Sequence, residues 1–329
     1  MKFLLIICLL VPMFAQAIPE EDFARNWSEK ALPFFRSMTT GTLKNAQGLK
    51  LKYFTYKNPL NEKSLVIVPG RTEPAIKYAE LIYDLKDLGF NIYIMDHQGQ
   101  GESQRILTDT HKGHVVDFKH YVKDFELFMQ QVVYAVKQSQ PIHLISHSMG
   151  GAIATHYMSL HPRVFAKAVM VAPMYEMNTA PYSETIARYY AKLLITTGKG
   201  NNYAPDYGPY VPENDTFEKN VSTHSESRFL ASKYIFTNMP ELAVGGPTAR
   251  WVHESLKATQ KIDQLSIETP TLLLQAGLDQ TVKPARQEEF CKKGMCELIT
   301  YPEAFHEILM EKDSIRDEAL KEIKSFLGV

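Results

Sequence analysis

A chain of 329 residues with 45% hydrophobic and 22% charged residues can bury a sizeable core, as one large α/β domain or two smaller ones. Its formal net charge of −1 and isoelectric point near 6.8 give no electrostatic argument for nucleic acid or for an anionic membrane surface.

In chain order, Met1 and Lys2 supply a positive start, residues 3–14 an apolar run, and Ala15-Gln16-Ala17 a small-x-small cleavage site. This is the pattern of a secretory signal peptide over 1–17, because the run is shorter than the ~20 residues of a spanning helix and contains Pro12. The mature protein is therefore expected to be exported, to the periplasm or the extracellular space. Export removes Cys8 and leaves Cys291 and Cys296, a close pair that reads as a local disulfide in an oxidising setting rather than as a zinc site.

Residues 19–36 read as an acidic lead-in with a short helix. Residues 42–46 and 51–56, separated by Gln47-Gly48, predict a hairpin at a sheet edge. Residues 64–68 form a short apolar strand ending in Pro69-Gly70, and residues 74–88 carry apolar positions at helical spacing up to Gly89. A strand over 91–95 leads into the glycine-rich loop Asp96-His97-Gln98-Gly99-Gln100-Gly101. That loop lacks the Gly-Lys-Ser/Thr of a phosphate loop, so no nucleotide cofactor is expected. A long amphipathic helix over 118–137 precedes a strand over 142–145, and a helix over 150–160 stops at His161-Pro162. The next strand covers 167–171.

From about 174 to 254 the alternation breaks into a stretch rich in Tyr, Asn, Pro and Ser, with helical pieces at 183–195 and 225–238 joined by irregular connections. The sheet resumes with strands at 271–275 and 297–301, a helix around 284–291 and a closing helix over 314–327. This order implies a mainly parallel, doubly wound sheet with an inserted, mostly helical cap: core over 18–173, cap over 174–255, core again over 256–329.

The stretch Ser146-His147-Ser148-Met149-Gly150 sits between a strand and a helix. It resembles the nucleophile elbow Gly-x-Ser-x-Gly of the α/β-hydrolases, with Ser146 in place of the first glycine. Serine is small enough for that crowded position. A serine nucleophile needs a base, and the base needs a carboxylate, in the chain order Ser, Asp or Glu, His on loops after strands. Asp279 and His306 each follow a later strand; Asp263 precedes its strand, and Glu303 is a second local carboxylate. Backbone N–H groups of Met149 and Arg71 are placed to stabilise an oxyanion. The Arg71 side chain reads as a surface ion-pair former, with an anionic headgroup as the other reading. His147 is expected to point away along the elbow, His143 to sit in the core, and His111 and His114 to lack the third ligand of a metal site.

Together with the elbow, Pro69-Gly70-Arg71-x-Glu73, Lys77-Tyr78-Ala79-Glu80-Leu81, the 96–101 loop, Val244-Gly245-Gly246-Pro247-Thr248, Trp251 and His306-Glu307-Ile308-Leu309 resemble the bacterial lysophospholipase branch of the serine α/β-hydrolases, close to the monoacylglycerol lipases. The resemblance implies an α/β-hydrolase fold and an esterase for single-acyl lipids, with Ser148, Asp279 and His306 as the triad and the Arg71 and Met149 amides as the oxyanion hole; no cofactor and no metal are expected. It covers the chain from about Thr42 to Leu327. Proline before Gly70, where the monoacylglycerol lipases carry histidine, and the signal peptide depart from that pattern. Tyr175, Phe236 and Trp251, among many aromatics of the cap region, are candidates to line an acyl site or rest at a lipid interface. Alternatives are a short-chain carboxylesterase, an acyltransferase or a peptidase on the same triad, or a non-catalytic lipid-binding scaffold.

Overall fold

The computed structural model describes residues 17–60, 63–135 and 140–329, so the expected signal peptide lies, except for Ala17, outside the described residues. The lead-in is more than a short helix. A 3₁₀ turn, α1 (Phe23–Asn26), a π-helical turn and α2 (Leu32–Ser37) follow one another because Phe23, Trp27, Leu32 and Phe35 fall on one side and are buried there. Strands β1 (Thr39–Lys44) and β2 (Lys50–Tyr56) make the expected hairpin, with Gly48 supplying a φ of 79° in its turn.

The chain continues through β3 (Lys63–Val68), α3 (Ala79–Leu85), β4 (Phe90–Met95), α4 (Lys119–Phe128), β5 (Ile142–His147), α5 (Met149–Leu160) and β6 (Lys167–Val171). The end of the long helix expected over 118–137 partly lies outside the described residues; after Phe128 it becomes a π-helical turn, Met129–Val133. After β6 come α6 (Glu184–Thr196), α7 (Glu226–Asn238) and α8 (Ala249–Thr259). Then β7 (Thr271–Ala276), α9 (Ala285–Cys291), β8 (Cys296–Tyr301) and α10 (Asp313–Leu327) complete the core.

Helix α8 falls in and beyond a region read from sequence as irregular, and it crosses the expected cap boundary at 255. It forms because Thr248 caps it, its hydroxyl accepting the Trp251 N–H at 3.2 Å, while Trp251, Ser255 and Leu256 turn one face inward.

The eight strands lie in the order β1-β2-β4-β3-β5-β6-β7-β8, with β2 antiparallel to both neighbours and the rest parallel. Side chains alternate across the sheet with the period of a strand. Leu65, Ile67, Ile92, Ile94 and Ile145 join a core with α1, α2, α3 and α10. Val66, Val68, Tyr93, Met95 and Leu144 join one with α4, α5 and α9. The connections reverse direction at β3, with β4 on one side and β5 on the other, which opens a crevice at the carboxyl ends of β3 and β5. Cys291 and Cys296 are bonded, with Cα atoms 4.8 Å apart, and pin the turn between α9 and β8. No helix among the described residues is long and apolar enough to cross a membrane.

Candidate active site

At the end of β5 the chain turns so sharply into α5 that Ser148 takes a φ of 50° and a ψ of −118°, a conformation costly for a residue with a side chain. The surrounding hydrogen bonds impose it: Ser148 N–H donates to the Val171 carbonyl at 3.1 Å, and its own carbonyl accepts from Gly151 at 2.9 Å and Met174 at 2.9 Å. A Cβ on Gly150 would sit 2.2 Å from the Val68 carbonyl oxygen, so that position must be glycine. Ser146 is different. Its side chain fits against β6, with its hydroxyl donating to Met170 Sδ at 2.8 Å, which explains why serine serves in the elbow's first position.

The turn aims Ser148 at His306. The hydroxyl donates to His306 Nε2 at 2.8 Å, and His306 Nδ1 donates to Asp279 Oδ2 at 2.6 Å. Asp279 is fixed in turn by Thr281 and Val282 N–H groups, which donate to its other oxygen at 2.7 and 3.0 Å. All three side chains are nearly buried, and three separate strands deliver them to one end of the sheet. Glu303 is exposed, and Asp263 reaches Arg286 and Lys293 instead. Among the described residues, no other group engages the backbone N–H of Arg71 or Met149.

The loop carrying Gly70 and Arg71 is braced from several directions. His97 Nε2 donates to the Pro69 carbonyl at 3.0 Å, Gln100 donates to the Gly70 carbonyl at 3.0 Å and accepts from Thr72 N–H at 3.1 Å, and the Glu73 carboxylate accepts the Gly70 N–H. Asp96 accepts the Ala75 N–H at 2.6 Å, and burial raises its pKa to about 7. The glycine-rich 96–101 loop is thus a brace for the loop after β3.

Sequence reasoning missed a buried charge network behind His306. His147 does not point away: Nδ1 contacts Glu73 at 3.0 Å, Nε2 donates to the His306 carbonyl at 3.2 Å, and its ring lies 4.8 Å from the His306 ring. Lys77 bridges Glu73 at 3.2 Å and Glu307 at 2.6 Å, and Tyr78 O–H donates to Glu73 at 2.6 Å. Burial works to raise the Glu73 carboxyl, but His147 and Lys77 outweigh it and hold it well below the usual range. Burial likewise works to lower His147, and Glu73 overcomes it, raising the imidazole above its ordinary value. These residues come from β5, the loop after β3 and the loop after β8, so no local period announced them.

Arg71 and Tyr175 depart from expectation, while His143 sits in the core as expected. Arg71 makes no surface ion pair: its guanidinium stacks over Trp251 with 5.0 Å from carbon to ring centroid and donates to the Gly245 carbonyl. Tyr175 is a core residue, fully buried, with its hydroxyl 2.7 Å from Thr155 Oγ1 and its ring 4.7 Å from Phe290. Phe236 packs on Tyr210 at 5.4 Å and on the core side holding α10, while Trp251 is buried beneath Arg71. His111 Nδ1 accepts the Tyr210 N–H at 3.2 Å and His114 Nδ1 meets Thr248 Oγ1 at 2.9 Å, so both anchor the 207–251 region to the core. His143 is buried against Phe90 with its Nδ1 unpaired.

Residues 60–313 match the family described as serine aminopeptidase, S33. Lysophospholipase L2 of Escherichia coli (strain K12) is 33% identical over 330 residues, covering 94% of this chain and 93% of the relative. Probable lysophospholipase L2 of Haemophilus influenzae is 33% identical over 306 residues, covering 91% and 95%. A soluble variant of monoglyceride lipase from Saccharomyces cerevisiae, solved in complex with a substrate analog, superposes with a TM-score of 0.69 at 18% identity, covering 88% of this chain and 94% of its own. The chain belongs to the serine α/β-hydrolases, in the branch that includes the bacterial lysophospholipases and the monoglyceride lipases.

Proposed function

We propose that this protein is an exported hydrolase that cleaves the ester bond of single-acyl lipids, lysophospholipid or monoacylglycerol, through an acyl-Ser148 intermediate. The observation that carries this is the unbroken chain of hydrogen bonds from Ser148 Oγ through His306 to Asp279. As Ser148 attacks the ester carbonyl, its proton passes to His306 Nε2, and the Asp279 carboxylate stabilises the imidazolium. The carbonyl oxygen becomes an oxyanion and accepts hydrogen bonds from the free N–H groups of Arg71 and Met149. His306 then gives the proton to the departing glycerol oxygen. Water, deprotonated by His306, attacks the acyl-serine, and as the bond from the acyl carbon to Ser148 Oγ breaks, His306 returns the proton to Oγ and the fatty acid is released.

Helix α6 supports a lipid substrate. Its Ile186, Tyr189, Tyr190 and Leu193 recur at helical spacing on one face, and each is about half exposed or more. Such a face suits transient contact with a lipid interface. The bonded Cys291 and Cys296 suit the oxidising compartment to which the 1–17 segment would send the protein. A hydrolysis panel of lysophosphatidylcholine, lysophosphatidylglycerol, monoacylglycerol, diacyl phospholipid and short p-nitrophenyl esters tests the reading. The single-acyl lipids should be cleaved fastest; activity confined to the short esters would defeat it.

A further inference from the structure

We infer that the Arg71 guanidinium, seated on Trp251, is an anion subsite that receives the phosphate of a single-acyl phospholipid headgroup. The inference rests on the proposed function and names which of its substrates the site prefers. Arg228 and Arg316, buried elsewhere, each meet carboxylates: Glu80 and Asp313 for the first, Asp84 and Glu80 for the second. Arg71 has no carboxylate within 4.0 Å among the described residues, and its buried Nε has no hydrogen-bond partner. Burial pushes the guanidinium down to about 10, offset only in part by the phenols of Tyr121 and Tyr207.

The group is nonetheless held in place. Trp251 lies under it, the Gly245 carbonyl accepts from one Nη, and a Cβ on Gly113 would come within 2.8 Å of that nitrogen, so the glycine keeps the space open. A positioned, desolvated cation without a counter-ion gains most from an anion that binds later. Arg71 also carries the N–H proposed for the oxyanion. The bond path from that nitrogen to the guanidinium carbon counts as many bonds as the path from a lysophospholipid's ester carbonyl carbon to its phosphorus, so one residue has the length to meet both groups.

The test is the ratio of kcat/KM for lysophosphatidylglycerol to that for monoacylglycerol of the same acyl chain, in wild type, Arg71→Lys and Arg71→Gln. The ratio does not depend on how much of a variant folds. Arg71→Gln should lower it about 10- to 100-fold, the value of a charge-assisted hydrogen bond, and Arg71→Lys should lower it less. A parallel fall in both substrates with the ratio unchanged overturns the subsite and leaves the esterase reading intact. A wild type inactive on both lipids fails the esterase reading itself. Glycerophosphoglycerol should inhibit the wild type far more than inorganic phosphate does; equal inhibition would assign the cation to free phosphate and overturn the headgroup assignment.

Ile18 is buried, its N–H donates to buried Asp84 at 3.3 Å, and its carbonyl accepts from Arg228 Nη2 at 3.1 Å. In this cluster Glu80, Asp84 and Asp313 face two guanidinium groups, those of Arg228 and Arg316. The nearby Glu311 is taken up by His224 Nδ1 and by the N–H groups of His224, Phe305 and Lys312. Glu20 accepts from Ser225, and Asp317 is raised by burial and by Asp313 beside it. The three carboxylates that face the guanidinium groups outnumber them by one. We propose that a signal peptidase hydrolyses the Ala17–Ile18 bond, leaving the carboxylate on Ala17, and that the new Ile18 α-ammonium docks on Asp84 and balances the cluster.

The exported protein should have the intact mass of a chain starting at Ile18; any other start overturns the proposal. A mature protein extended by Ala17 should melt about 4 °C lower. The folded mature protein's α-amine should also react with cyanate far more slowly than the same amine in denaturant. Equal melting temperatures or equal reactivity would overturn the ion pair.

Discussion

The loops around Ser148 and the outer face of α6 obey opposite rules. Around Ser148 buried polar groups are held by several partners each: Glu73 alone engages Gly70, His147, Lys77 and Tyr78, and the 96–101 loop grips the chain on either side of Arg71. On α6 the large apolar side chains of Ile186, Tyr189, Tyr190 and Leu193 are each about half exposed or more. Chemistry requires atoms held within fractions of an ångström, so the fold fixes them through groups drawn from several strands. Contact with a fluid lipid requires only area, and one helix supplies it. Changes near Ser148 should therefore be severe, and changes on α6 mild and selective for aggregated substrate.

The largest effect is expected at the nucleophile: Ser148→Ala should lower kcat by about 10⁶-fold with an unchanged melting curve, measured on monoacylglycerol. Asp279→Asn should cost about 10⁴-fold, because Nδ1 would no longer be held as the donor of the His306 ring. Glu73→Gln breaks a buried ion pair and should destabilise the protein by roughly 3–5 kcal/mol, with a further loss of kcat as the His306 loop slackens; denaturant unfolding beside kinetics separates the two.

The same pair sets a pH dependence. His147 is raised in the fold, so its contribution is complete below about 6.5 and disappears as pH climbs through the elevated value. Glu73 is depressed, so its contribution is complete above about 4.3 and disappears as pH falls through its folded value. Melting temperature should decline on both flanks, and a flat profile in Glu73→Gln would tie both flanks to this pair. The smallest effect on stability, within about 0.5 kcal/mol, is expected for Ile186→Ser with Leu193→Ser, which should still lower the ratio of vesicle-bound to monomeric substrate turnover several-fold.

Local chemistry made much of the protein legible before any fold was known. Apolar runs such as residues 64–68 and 91–95 are buried strands because nothing else accommodates them, and the helix stop at His161-Pro162 follows from proline. Ser148, Asp279 and His306 were identifiable because each sits on a loop after a strand in a fixed chain order, a pattern that one-dimensional reading preserves. Helix α8 escaped because its inward face mixes Trp251 with Glu254 and Ser255 and weakens the apolar period.

Tertiary structure alone decided what Arg71, His147, Glu73 and Tyr175 do. Each is a residue type whose role depends on what lies opposite. Arg71 meets Trp251 from the far end of the cap region, His147 meets Glu73 across the switch at β3, and Tyr175 turns into the core against Phe290. A charge or a ring has no assigned partner in the sequence, whereas a strained turn, a proline stop and a buried strand carry their physical cause within a few neighbouring residues.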